Sequence, residues 1–146
     1  MRIRRYSELC LIDGFEDRYE YLRVPAGVGI DTFGYERWLN QSFYSSTQWK
    51  QVRQEVIARD RGCDLGIEGH EIHDKIIVHH MNPINVEDIT HENLDILNAE
   101  YLISVSHRTH NAIHYGDKSL LQQPLVRPRF SQFMQKSTLE LLYLLL

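Results

Sequence analysis

The spacing of apolar positions divides the chain into helical and extended stretches. "FEDRYEYL" puts Phe15, Tyr19 and Leu22 at helical spacing and predicts a short amphipathic helix. "PAGVGIDTFG", with Pro25, Gly27, Gly29 and Gly34, reads as loop, and a second helix is expected over Tyr35 to Phe43. The clearest helix follows "SST". Ser46 or Thr47 can cap it, Trp49, Val52, Val56 and Ile57 line one face, and Gly62 ends it. "KIIVHH", Lys75 to His80, is rich in β-branched residues and reads as a strand, and so does "YLISV". The intervening "MNPINVEDITHENLDILNAE" is too polar and broken for one element and reads as a loop with a helical turn. "SHRTHNAIHYG" predicts a helix capped near Ser106 and stopped at Gly116. Beyond Asp117 lies an irregular stretch with Pro124 and Pro128. "STLELLYLLL" then predicts a terminal helix with Ser137 and Glu140 as a capping box.

Residues 75–115 therefore read strand, long loop, strand, short helix. The strands should pair antiparallel with the helix folded back on them, an α+β arrangement. A length of 146 residues suits one such domain, and 42% hydrophobic with 25% charged residues argues against wholesale disorder. We expect a helical N-terminal arm over 1–45, the domain proper over 46–118 and a tail over 119–146. Two cysteines, Cys10 and Cys63, make no disulfide framework and point to a reducing, cytoplasmic compartment. "MRIRRYSELC" lacks the apolar core of a signal peptide, and "LELLYLLL" is too short to span a bilayer, so no membrane role is expected. That apolar end could dock on the core or join another subunit or partner.

Charge complicates a nucleic-acid role. The net formal charge is -4, and the residues 49–118 carry 7 basic and 12 acidic groups, giving -5. That is not the basic patch of a non-specific DNA binder, although a bound metal could supply positive charge. All 8 histidines lie between His70 and His114. His110 and His114 are four apart on the predicted helix and share a face, a common way to present two imidazoles to one metal. "VHHMNPI" places His79 and His80 at a strand end, where neighbours point to opposite faces. One of them could supply a third ligand, and the other could take a proton from water.

"VHHMNP", "ENL" and "HNAIH", preceded by "WKQVRQEVIARD", resemble the HNH endonuclease family of ββα-metal nucleases over about Trp49 to Lys118. The flanking "TFGYERWLNQSFYSS" and "HNAIHYGDKSLL" resemble small HNH proteins of tailed bacteriophages or prophages. The resemblance implies a ββα-metal core and metal-dependent hydrolysis of DNA phosphodiester bonds. It assigns His79, His110 and His114 to one divalent metal and His80 to the general base, its ring oriented by a backbone or neighbouring carbonyl. Asn93 matches the middle residue of the motif, which either holds the loop or ligates metal. Three neutral imidazoles suit zinc, nickel or manganese, whereas magnesium prefers oxygen; the working metal stays open among the four. Arg53, Arg59 and Arg108 could contact phosphates, with solvated surface as the plainer expectation.

The chain departs from relatives that hold the fold with zinc on two C-x-x-C pairs. Those positions are Cys63 with Gly66, and Ser106 with Thr109, so a four-cysteine zinc site is rejected. Packing from the Trp49 helix and the N-terminal arm is expected to replace it, with Cys63 as a small buried residue. Two other functions remain: a non-catalytic zinc module that docks on DNA or protein, and a phage packaging accessory nuclease whose acidic surface and apolar tail bind a packaging protein.

Overall fold

The computed structural model describes residues 2–23, 37–66, 70–91 and 93–121. The expected glycine-rich loop, the prolines beyond Asp117, the terminal helix and the apolar tail fall outside them. Among the described residues the fold is α+β, with six α-helices and four short strands. In chain order these are α1 (Tyr6–Leu9), α2 (Phe15–Leu22), α3 (Arg37–Ser45), α4 (Thr47–Arg59), β1 (Cys63–Asp64), β2 (His70–Glu71), β3 (Ile77–His80), α5 (Val86–Thr90), β4 (Leu102–Val105) and α6 (His107–Tyr115). Short 3-10 turns cover Leu94–Leu97, Ala99–Tyr101 and Lys118–Leu121. No helix among these residues is long and apolar enough to cross a membrane.

The centre is the antiparallel β3–β4 pair, with Ile77 opposite Val105, Val78 opposite Ser104, His79 opposite Ile103 and His80 opposite Leu102. The strand begins at Ile77 rather than Lys75 because its partner stops at Val105. Ser106 already caps α6, its hydroxyl accepting from the Thr109 N–H. Gly116, at φ 63°, ends that helix in the left-handed conformation that glycine tolerates.

Strand alternation gives the pair two buried faces. Ile103 and Val105 pack with Leu9, Leu22, Met81 and Ile113, so α1, α2 and α6 cover one side. Val78 and Leu102 pack with Trp49 and Val56 of α4 on the other. The N-terminal helices thus share the core of the hairpin. Each such aliphatic side chain contributes about 1.5–3 kcal/mol when fully buried.

At the rejected zinc positions the structure uses a carboxylate. Asp64 is buried and accepts from the Gly66 N–H at 2.9 Å, the Ser106 N–H at 3.0 Å and the Thr109 hydroxyl at 2.6 Å. It ties the turn after β1 to the first turn of α6. A Cβ at Gly66 would collide with the Thr109 methyl group, which shows how closely the two segments approach. The replacement is a hydrogen-bonded hub rather than packing alone. The expectation for Cys63 is corrected too: it is half-buried, because alternation along β1 turns Asp64 inward and Cys63 outward.

Candidate metal centre

His79 leaves β3 on the face that α6 covers, and His110 and His114 sit one turn apart on that helix. Ring centroids are 5.5 Å apart for His79 and His110, 5.0 Å for His79 and His114, and 4.3 Å for His110 and His114. One nitrogen of each ring lies within 4.8 Å of the other two, an arrangement that could hold a metal ion. His79 is fully enclosed, and its Nε2 has no hydrogen-bond partner among the described residues. A buried polar atom in that state carries a desolvation cost that a bound cation would remove.

The electrostatics fit. Burial, and then the neighbouring His114 and His110, push the His79 pKa well below the ordinary imidazole value. His110 is lowered to about 4, by burial first and His114 second. Burial also lowers His114. All three rings are therefore neutral near pH 7 and offer lone pairs to a metal.

His80 stands outside this trio. It leaves β3 on the opposite face, where its ring stacks on Trp49 with centroids 5.1 Å apart and planes 17° from parallel. Its Nε2 lies 2.9 Å from the Ile96 carbonyl. A carbonyl only accepts, so Nε2 carries the proton and Nδ1 holds the lone pair. Burial lowers the His80 pKa to about 4, against the opposing pull of that carbonyl. The expected orienting carbonyl is thus Ile96. The stacking of Trp49 was not anticipated, since its helical spacing marked it only as core.

Asn93 is drawn into the loop. Its Nδ2 donates to Asp88 at 2.9 Å, its Oδ1 accepts from the Asp95 N–H at 3.1 Å, and its own N–H donates to the Asp88 carbonyl. It caps the 3-10 turn that presents the Ile96 carbonyl to His80. These hydrogen bonds lie within the loop itself.

The arginines divide. Arg59, for which phosphate contact and solvated surface were the two expectations, meets neither and is turned inward. Its guanidinium donates to the Ala99 carbonyl at 2.6 Å and the Leu102 carbonyl at 2.7 Å, pairs with Asp60 and lies 3.6 Å from the Tyr6 ring centroid. Arg53 donates to the Ile76 carbonyl at 2.9 Å. Arg108 is half-buried in the first turn of α6. Buried carbonyls at the hairpin edge need donors, and a long guanidinium supplies several. Of the other histidines, His73, His91 and His107 are exposed and His70 is half-buried, and none joins the trio.

Comparison with protein-family models, curated proteins and solved structures finds no match to this chain.

Proposed function

We propose that this chain is a metal-dependent endonuclease of the HNH type that hydrolyses DNA phosphodiester bonds, with β3, β4 and α6 as its ββα-metal core. The observation that carries the reading is the division of labour at the end of β3. His79 converges with His110 and His114 and has a buried nitrogen in need of a partner. His80, on the other face, is fixed by a carbonyl and an aromatic ring. A purely structural metal site gains nothing from that second, separately held imidazole.

A divalent cation on His79, His110 and His114 would offset the phosphodiester charge and favour departure of the leaving oxygen. Zinc, nickel and manganese suit three imidazoles better than magnesium does. His80 accepts a proton from water at Nδ1, while Nε2 stays bonded to the Ile96 carbonyl. Asn93 acts at one remove by holding the turn that supplies that carbonyl. The phage resemblance makes a packaging protein a candidate partner.

The test is nicking of supercoiled plasmid with added divalent metal. His80→Ala should lower the rate by about 100-fold or more with metal affinity unchanged. Undiminished nicking would overturn the assignment.

Two observations favour a non-catalytic zinc docking module. The middle segment is acidic, and Arg59, a candidate phosphate contact, is committed inside the protein. A zinc closed by four protein ligands, seen by anomalous scattering, would support that module instead.

A further inference from the structure

His80 also lines a pocket of about 170 Å³, bounded by the start of the chain, the segment leaving β3 and the 3-10 turn at Leu94–Leu97. Ile3, Pro83, Ile84 and Ile96 give it apolar walls. Four of its lining residues, Asn82, Asp88, Asn93 and Asp95, carry amide or carboxylate groups, and three of those groups are already used. Asn82 exchanges hydrogen bonds of 2.8 and 3.0 Å with the Arg4 backbone. Asp88 accepts from the Asn85 N–H at 2.8 Å and from Asn93 Nδ2. Asn93 is spent on Asp88 and the Asp95 N–H. The carboxylate of Asp95 has no partner among the described residues. Its backbone is pinned on both sides, the N–H by Asn93 and the carbonyl by the Asn98 N–H, so a rigid turn presents it. Ile3 is 57% exposed and Leu94, between Asn93 and Asp95, is 78% exposed. Apolar side chains left in water beside a concavity are a mark of ligand sites.

We propose that this pocket receives an unpaired guanine base, with the Asp95 carboxylate accepting from its N1–H and N2–H. Among the four DNA bases only guanine sets two N–H donors side by side on its pairing edge, matching the two oxygens of a carboxylate. Adenine and cytosine place an acceptor nitrogen beside their amino group, and thymine flanks its N–H with carbonyls, all of which a carboxylate repels. No Lys or Arg is among the described residues lining the pocket, so a phosphate finds no matching charge there. In a duplex the guanine pairing edge is occupied by cytosine, so the substrate class is single-stranded or locally opened DNA. The link to cleavage rests on the nuclease reading, because His80 in the lining would set a bound nucleotide beside the candidate base.

The experiment titrates the full, metal-free chain with each of the four deoxynucleosides, which carry no phosphate, and follows backbone amides by NMR. Deoxyguanosine should shift Ile84, Asp95 and Ile96 and bind about tenfold more tightly than the other three. Asp95→Asn, at an exposed position whose carboxylate has no partner, should abolish that preference with the fold intact. Equal shifts from all four nucleosides, no shifts, or an unaltered preference in the variant would overturn the proposal. Guanine selectivity without plasmid nicking would remove the nuclease reading and leave the pocket assignment standing. Nicking without selectivity would do the reverse.

Discussion

Trp49 lies flat against His80, the two rings only 17° from parallel. The stack restricts tilting of the imidazole, and the Ile96 carbonyl restricts its rotation in plane. Together they leave Nδ1 as the available nitrogen. Phe43 and Tyr44 brace the indole from other sides, with centroids 5.4 and 5.1 Å away. A flat ring at position 49 should therefore matter more than bulk. Trp49→Phe should stay within a few-fold of the native nicking rate, whereas Trp49→Leu should lose about 10–100-fold in kcat with unchanged metal affinity. Equal rates for the two variants at equal thermal stability would reduce Trp49 to a core residue.

Asn93 influences the same ring through two steps. Removing its amide frees the Asp95 N–H and Asp88, and the turn carrying the Ile96 carbonyl loses its cap. Asn93→Ala should cost about 1 kcal/mol of stability, as loss of a cap does. It should also lower kcat while leaving metal affinity near native, because Asn93 is not in the histidine trio. Calorimetric metal titration separates the roles: a large loss of affinity would make Asn93 a ligand.

Asp64 is the stabilising hub. Asp64→Ala would strip partners from the Gly66 and Ser106 N–H groups and the Thr109 hydroxyl at once. The expected loss is about 3 kcal/mol or more, read from urea denaturation. Since α6 carries two of the three candidate ligands, metal affinity should fall with it. Thr109→Val keeps the shape and removes one donor, so it should cost roughly 1 kcal/mol. A native midpoint for Asp64→Ala would refute the hub.

Much of this was legible from local pattern. The β-branched run before His79, the Ser106 cap and Gly116 stop, and the four-residue spacing of His110 and His114 each carry a physical signal in a few residues. Strand alternation alone separates His79 from His80. What escaped depends on distant partners. Arg59 has the same local signature whether it faces a phosphate or the carbonyls of Ala99 and Leu102, 40 and 43 residues away. Asp64 reads as an ordinary acidic residue until Ser106 and Thr109 fold onto it. The β1–β2 pair spans two residues per strand, too short for any periodicity to show.

The depressed histidines make an acid-side prediction for the metal-free protein. His80 and His110 sit at about 4 in the fold, and His79 lies well below the ordinary 6.5, in each case chiefly through burial. In the unfolded chain they return toward 6.5, so between about pH 6.5 and 4 the unfolded state binds more protons than the folded one. Stability then rises with pH across that window. It is fully present above about pH 6.5 and is lost as the pH falls toward 4. At pH 5, His80 alone accounts for up to about 2 kcal/mol. Urea midpoints taken at about pH 7.5, 6 and 5 should decline in that order, and His80→Phe, which cannot be protonated, should flatten part of the decline. A midpoint that holds steady from pH 7.5 to 5 would show these imidazoles to be charged and hydrated in the folded chain, which is incompatible with the buried, neutral trio.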